Sequence, residues 1–452
     1  MARPDDLTLR GSPWVVVALA TLLGVRLAVG GTLGIVDDEA YYWAWSRHLA
    51  WGYFDHPPGV AVAVALGDAL FGPSSLGVRF GPILCSTLAF ALLVPLARDR
   101  ALALLLLAGT PLLGLGTLIA VPDAVLVLGW AIAVRCAARG DWLLVGVGVA
   151  VAALGKMHGW GLWPLLLLAE PRSARAMLPG IALTLVLTAP HLAWSATHGG
   201  MPFAFQLSHG LDPAHGGASG GAPGVAGAAQ FVGAQLALAS PLVALGVAAA
   251  ALQWPNDRVG RVLWVTAVVP LVFFALAASR ARAEANWAMP AWLSAMVLLA
   301  RAERWSRVAW VGGGLGAAMT LAATIHLYTP IARLADDPRD RLGLGRSLAQ
   351  SVEAWGIDVV YTERYQEAAV LRYYQGLRAY ALPGVGRPDQ FDLWYTPAAD
   401  RAIFVRPWRG GPTLPTDDVC VERGTANAVV ERDADGLPLA RWQVVEVTGC
   451  TP

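Results

Sequence analysis

Three successive carboxylates, Asp37, Asp38 and Glu39, follow the first long apolar run of the chain. They open the polar segment Val36–Gly59, VDDEAYYWAWSRHLAWGYFDHPPG, which closes on Asp55, His56 and the stiff pair Pro57-Pro58. A carboxylate held at a membrane boundary can take a proton from an attacking hydroxyl. Between the acids and the closing residues stand Tyr41, Tyr42, Trp43, Trp45, Trp51, Tyr53 and Phe54. Trp and Tyr favour the lipid–water boundary because each ring has an apolar body and a polar handle. The segment therefore reads as a loop lying at that boundary.

Other ionisable groups interrupt apolar sequence further along. Asp123 follows Pro122 at a helix start, and Lys156, the sole lysine, stands in Gly155-Lys156-Met157-His158-Gly159. Arg280 and Arg282 occupy a short loop before Glu284. Ionisable groups at membrane depth are costly, so they mark a ligand path or pair with one another. Carboxylates facing cations in such a place suit transfer of a group away from a phosphate. One carboxylate deprotonates the acceptor hydroxyl, and the cations neutralise the phosphate that leaves. Plainer roles stay open for each: a helix cap for Asp123, pairing or snorkelling for Lys156, and a salt bridge to Glu284 for the arginines.

The elements that position these groups follow from composition. The chain of 452 residues is 56% hydrophobic and 14% charged, with a mean hydropathy of +0.52. Apolar runs of about twenty residues, long enough to cross a bilayer, recur from Pro13 to Tyr328. This pattern is that of a polytopic α-helical membrane protein with about eleven spans. The first run, long and containing Arg26, is expected to remain as a span rather than be cleaved. A net charge of +1 gives no nucleic-acid surface.

Basic residues set the orientation. Arg3 and Arg10 place the N-terminus in the cytoplasm and the Asp38 loop outside. Val60–Leu70 is too short to cross and reads as an interfacial helix. Leu76–Ala97 returns inside, and Ala101–Ala120 goes out to Asp123. Leu143–Ala169 reads as two short helices meeting near Lys156, and Thr197–Gly227 is a Gly-rich external loop. On this topology Asp38, Asp123, Lys156 and Arg280/Arg282 share one face. From Ile331 the composition becomes soluble, with strands at Ile357–Tyr361, Ala402–Arg406 and Trp442–Val447 and a helix at Glu363–Tyr374. Two domains result: 1–330 in the membrane, with its first external loop at 34–75, and a small α/β domain at 331–452. Cys85 and Cys136 lie in apolar runs. Cys420 and Cys450 can form a disulfide if their domain faces an oxidising compartment.

Several stretches resemble bacterial membrane glycosyltransferases of the GT-C fold, relatives of lipid A aminoarabinose transferase and protein O-mannosyltransferases. They are Val36-Asp37-Asp38-Glu39-Ala40-Tyr41-Tyr42, Gly52-Tyr53-Phe54-Asp55-His56-Pro57-Pro58, Pro122-Asp123-Ala124 and Leu154-Gly155-Lys156. Phe203-Ala204-Phe205-Gln206 and Glu284-Ala285-Asn286-Trp287 resemble recurrent patches of the same group. Tyr365-Gln366-Glu367 and Gly386-Arg387-Pro388-Asp389-Gln390 resemble its external C-terminal domain. The resemblance implies an inverting enzyme that uses a polyprenyl-phosphate-linked sugar, in a bacterial inner membrane with the site and C-terminal domain in the periplasm.

The resemblance also implies roles by position. Asp38 matches the loop Asp expected to act as base or to orient the acceptor, with Glu39 and Asp37 beside it, and Asp123 matches the second acidic position. Lys156, Arg280, Arg282 and His56 are the expected contacts of the donor phosphate. Tyr42, Tyr53, His158, Asn286 and Trp287 are the expected substrate contacts. His56 stands where aminoarabinose transferases carry Lys, which leaves the sugar open. The acceptor is a lipid, a glycan or a protein hydroxyl. A divalent cation is left open, because only some members of the group use one. Rival readings are a lipid-linked-sugar flippase and a non-catalytic polyprenyl-lipid-binding protein.

Overall fold

The first apolar run forms helix α1, Pro13–Thr32, in a computed structural model. The structure describes residues 12–211, 224–280, 283–332, 334, 337–394, 396–408, 420–422, 427–432 and 438–450. Arg282 and residues 212–223 of the Gly-rich loop lie outside them. Helix α2 is Asp37–Ser46, α3 is Gly59–Phe71 and α4 is Ser75–Leu93.

Among the described residues, five unbroken helices are long and apolar enough to cross a membrane: Pro13–Thr32, Ser75–Leu96, Pro171–Thr197, Arg258–Ala277 and Glu303–Tyr328. A sixth, bent by 109°, joins Val225–Ala239 to Pro241–Ala251. Ser240 makes that bend with a positive φ of 73°, its hydroxyl donating to Gly312 O at 2.9 Å. The remaining apolar runs fold as shorter helices, among them Arg100–Gly109, Trp142–Gly155 and Ala285–Leu299.

The expected unbroken span Ala101–Ala120 is one that the structure corrects. Its helix ends at Gly109, a single turn follows at Pro111–Gly114, and the chain then runs irregularly to Val121. Pro111 cannot donate an N–H, so the ladder stops there. Irregular backbone survives at membrane depth where it lines a cavity, and Leu115, Gly116, Leu118 and Ile119 do so here. The reading of Leu143–Ala169 as two short helices agrees with the structure. Helices at Trp142–Gly155 and Leu162–Ala169 flank a turn at Met157–Gly161.

A buried ion pair ties the first elements together. Arg79 on α4 and Glu39 on α2 are both fully buried. Arg79 donates to Glu39 at 2.7 and 2.5 Å and to the carbonyls of Gly30, Leu33 and Gly34. Those carbonyls include ones left open at the C-terminal end of α1. Glu39 in turn accepts from Val36 N at 3.0 Å and Ala120 N at 2.8 Å. Every strong group of this knot therefore has a partner.

The C-terminal domain carries a six-stranded sheet: β1 Val359–Thr362, β2 Arg378–Ala381, β3 Ala399–Pro407, β4 Val421–Glu422, β5 Asn427–Arg432 and β6 Pro438–Cys450. The order is β2-β1-β3-β6-β4, with β5 also on β6. β1 is parallel to both neighbours, whereas β6 is antiparallel to β3, β4 and β5. The Tyr365–Gln375 helix provides the β1–β2 crossover, as parallel pairing requires. Cys420 and Cys450 are disulfide-bonded.

This domain shares one hydrophobic core with the first loop. Tyr41, Trp45 and Tyr53 pack in the same cluster as Leu348, Ala368 and Phe391. The loop aromatics thus do not all sit in the lipid boundary. Tyr41 and Trp45 lie one helical turn apart, on one face of α2, and that face meets the Tyr365–Gln375 helix. The rings of Tyr41 and Tyr365 meet at a tilt of 39°, with centres 4.3 Å apart. The chains approach so closely that a Cβ on Gly34 would lie 2.7 Å from Gly343 N. Trp51, by contrast, remains 60% exposed.

Breaking a buried pair leaves the survivor charged and unpaired, at a cost of about 3–5 kcal/mol. Arg79→Met is therefore expected to lower the thermal unfolding temperature in detergent strongly, with Glu39→Gln/Arg79→Met recovering part of the loss. Equal stability of Arg79→Met and the parent chain would refute the clamp.

Candidate active site

A cavity of about 1120 Å³ opens between the membrane helices and the C-terminal domain. Its walls come from α2, the Pro122–Asp123 turn, Lys156, the Asn286–Trp287 turn, the end of the Ser306–Tyr328 helix and the C-terminal domain. Asp38, Tyr42, His56, Asp123, Lys156, Asn286 and Trp287, all anticipated from the sequence, line it.

Asp38 sits in the first turn of α2, where the helix dipole favours an acid. Its neighbours point elsewhere because successive helical residues diverge by about 100°. Asp37 turns to Arg341 at 2.6 Å, and Glu39 turns inward to Arg79. Asp38 keeps its side chain 37% exposed, with Arg341 at 3.6 Å. Tyr365 donates to Asp38 Oδ1 at 3.1 Å. Enclosure in the cavity wall and the nearby Asp37 push Asp38 up to about 6, against the opposing pull of Arg341 and the Tyr365 hydrogen bond. Burial, followed by the Asp38 charge, raises Tyr365 well above an ordinary phenol, so it remains a donor.

Asp123 and Lys156 form the second pair. Lys156 Nζ reaches both Asp123 oxygens at 3.1 and 3.0 Å, and Asn286 Nδ2 donates to Oδ2 at 3.2 Å. Both side chains are almost fully buried. Lys156 ends the Trp142–Gly155 helix in an extended conformation, which breaks the span where the cation is needed.

The third pair, Asp55–Arg387, joins the loop to the C-terminal domain. Arg387 donates to Asp55 Oδ1 at 2.8 Å and Tyr41 to Oδ2 at 2.9 Å. The Arg387 guanidinium lies over the Tyr365 ring at 4.6 Å and the Phe205 ring at 5.1 Å. Burial alone would lower its pKa, but the charge of Asp55 raises it overall. Gln206 donates to Asp55 O at 2.9 Å and sits 3.3 Å from His56 Nδ1.

Several anticipated contacts do not reach the cavity. Glu39 is consumed by Arg79. Tyr53 is 0% exposed, stacked on Trp45 and hydrogen-bonded to the backbone of Ala50, Trp45 and His48. It packs and bonds inside the loop. His158 packs behind Trp287, against Phe274. Arg280 is exposed just past the Arg258–Ala277 helix and does not line the cavity. The cations found at the cavity instead include Arg341 and Arg387. Arg387 lay in a stretch already singled out, but its charge partner, Asp55, is 332 residues away. No sequence pattern near Arg341 marks it.

Among the described residues no group of three or more His, Cys, Asp or Glu could hold a metal ion. Asp38, Asp55 and Asp123 each face a basic side chain, so this donor set does not fit a resident divalent cation.

A membrane-level cavity of acids and cations, roofed by a soluble domain, is here built on a fold shared with GT-C membrane glycosyltransferases. Residues 55–194 match the family described as dolichyl-phosphate-mannose-protein mannosyltransferase. Over 394 residues, 78% of this chain and 81% of the relative, the sequence is 24% identical to the lipid A galacturonosyltransferase RgtD of Rhizobium johnstonii. The fold is similar to that of ArnT from Cupriavidus metallidurans in the apo state, with TM-score 0.67 and 15% identity. It is equally similar to ArnT bound to undecaprenyl phosphate, with TM-score 0.68 and 16% identity. Each comparison covers 96% of this chain and 98% of the other.

An Asp38 that works as a base must be ionised, so transfer should fall as pH drops through about 6. Removing the Asp37 charge with Asp37→Asn should move that limb to lower pH. The pH profile of kcat/KM for the two proteins checks this. An acid limb unmoved by the substitution would contradict it.

Proposed function

We propose that the protein moves one sugar, with inversion, from a polyprenyl-phosphate donor to a hydroxyl on the periplasmic side of a bacterial inner membrane. The observation that carries this reading is Asp38, the loop carboxylate left open to the cavity while its two neighbours are locked in ion pairs. The undecaprenyl phosphate in the ArnT structure supports a lipid-linked donor. The named activity of RgtD supports a glycolipid acceptor over a glycan or protein.

The residues suggest a direct displacement. The acceptor O–H gives its proton to Asp38 as the oxygen forms a bond to the anomeric carbon. The bond from that carbon to the phosphate oxygen breaks, and its electron pair stays with the phosphate. Lys156, Arg341 and Arg387 are the cations placed to receive that charge, with His56 beside them as a hydrogen-bonding group. Phosphate leaves well without protonation, so no general acid is required. Asp123 holds Lys156, and Asn286 fixes Asp123. Tyr42 and Trp287 offer ring faces to the substrate.

Asp38→Asn keeps the shape and removes the base. Transfer of radiolabelled sugar from polyprenyl phosphate into membrane glycolipid should drop by about 10²–10⁴-fold. Thermal stability and undecaprenyl phosphate binding should be retained. Near-parental turnover in this variant would sink the assignment.

A further inference from the structure

A cavity of about 220 Å³ lies at the seam between the end of α2 and the C-terminal domain. It shares no lining residue with the cavity that holds Asp38. Arg47 and His48, just past α2, form one side, and Arg372, Leu377, Arg378 and Tyr380 form the other. Among the described residues no carboxylate lines this space.

Three arginines thus meet with little to neutralise them. Arg47 pairs with Asp68 at 2.7 Å, yet its side chain stays 58% exposed. Arg372 donates Nε to Ala379 O and lies over the rings of Tyr380 and Phe391, all neutral partners. It stands in the last turn of the Tyr365–Gln375 helix, where one cation suits the open carbonyls. That role explains one arginine of the three. Arg378, on β2, is exposed and has no ion pair among the described residues. Desolvation, followed by the charges of Arg372 and Arg47, lowers the pKa of His48, so the cations converge on one spot from both sides of the seam.

The seam lies beside the lipid. Asp68, the partner of Arg47, is buried on α3 and also accepts from Trp43 Nε1 at 2.9 Å. The opposite face of α3 exposes Val62, Leu66 and Leu70, a stripe with the i, i+4, i+8 spacing of one helix face. The span Ser75–Leu96 begins four residues after α3 ends, so this stripe lies at the end of a membrane crossing. Leu49 and Trp51, which follow His48, are each 60% exposed. Helices of this kind lie at the level of the headgroups, where basic pockets meet lipid phosphates.

We propose that this cavity holds the phosphate of an anionic phospholipid headgroup. Arg47 reaches it from the loop, and Arg372 and Arg378 reach it from the C-terminal domain. The planar guanidinium fork matches phosphate oxygens. Like charges facing each other across the seam repel, and a phosphate between them turns that repulsion into a tie between the two parts of the chain. The site stands whether or not the transfer reaction proceeds as described above.

The test uses the full chain in neutral detergent, with Arg378→Gln and Arg378→Glu, since loss of this exposed side chain strands no buried partner. The probes are phosphatidylglycerol, zwitterionic phosphatidylethanolamine, inorganic phosphate and undecaprenyl phosphate. Native mass spectrometry reads the lipid retained, and thermal unfolding reads the stabilisation it brings. Phosphatidylglycerol should bind about tenfold more weakly to Arg378→Gln, as for one lost charge-assisted hydrogen bond, and more weakly still to Arg378→Glu. In lipid-free detergent Arg378→Gln should unfold no lower than the parent chain. Undecaprenyl phosphate affinity should not change, which reports an intact Asp38 cavity.

Equal phosphatidylglycerol affinity in the parent chain and Arg378→Glu would overturn the site. So would equal retention of phosphatidylethanolamine and phosphatidylglycerol by the parent. Displacement of the lipid by an equal concentration of inorganic phosphate would assign the cavity to free phosphate and refute the headgroup. A lower unfolding temperature of Arg378→Gln in lipid-free detergent would make Arg378 a structural cation and refute it as well.

Discussion

The Glu39–Arg79 pair is the constraint on which the site depends. It is fully buried, where an ion pair survives only if its remaining donors and acceptors are also satisfied. The chain meets that demand by spending the hydrogen bonds on chain ends. Arg79 gathers carbonyls from Gly30 to Gly34, and Glu39 holds the amides of Val36 and Ala120. The first span, the Asp38 loop and the approach to Asp123 are thereby referenced to one point. Asp38 is one residue from this knot, and Asp123 is three residues beyond Ala120.

The soluble domain completes what the knot begins. Because Tyr41 and Trp45 share a core with Phe391 and Ala368, α2 has no apolar partner of comparable size without that domain. Arg341, Tyr365 and Arg387, which surround Asp38 and Asp55, all belong to it. The boundary at Ile331 visible in composition is therefore not a boundary in the packing. An exposed face of α2 would leave large aromatics in water, a loss of about 1.5–3 kcal/mol for each large apolar side chain.

The architecture was legible to the extent that local sequence determines it. Long apolar runs, a broken helix around Lys156 and a soluble C-terminal region all appear in the structure. Asp123 and Lys156 were legible for the same reason, since charges in apolar sequence must find each other. The division of labour among Asp37, Asp38 and Glu39 was not. It is set by Arg341 and Arg79, which are 304 and 40 residues distant. The burial of Tyr53 was not legible, because an aromatic with a hydroxyl suits a ligand and a loop core equally well. Arg280 attracted notice by breaking the inside preference for basic residues, a statistical signal without a partner attached to it. Strands β2 and β4, of four and two residues, are too short for an alternation to announce them.

The resting cavity is close to neutral by construction, and this bears on how it would take an anion. Asp55 faces Arg387, Asp123 faces Lys156, and Arg341 is held between Asp37 and Asp38. A lone cation at this depth would be expensive to desolvate, so each carries a carboxylate as counter-ion. An incoming phosphate must share those cations with the acids that already hold them. The contacts differ in how easily they can be shared. Lys156 reaches Asp123 at 3.0 Å or more, and Lys has a third donor direction free of geometric constraint by a planar fork. Arg341 remains 58% exposed, so its loose contact with Asp38 is the least committed. Any charge that draws Arg341 away from Asp38 also removes one of the influences holding Asp38 acidic. The same movement that would engage a phosphate would thus make Asp38 a better acceptor of the proton.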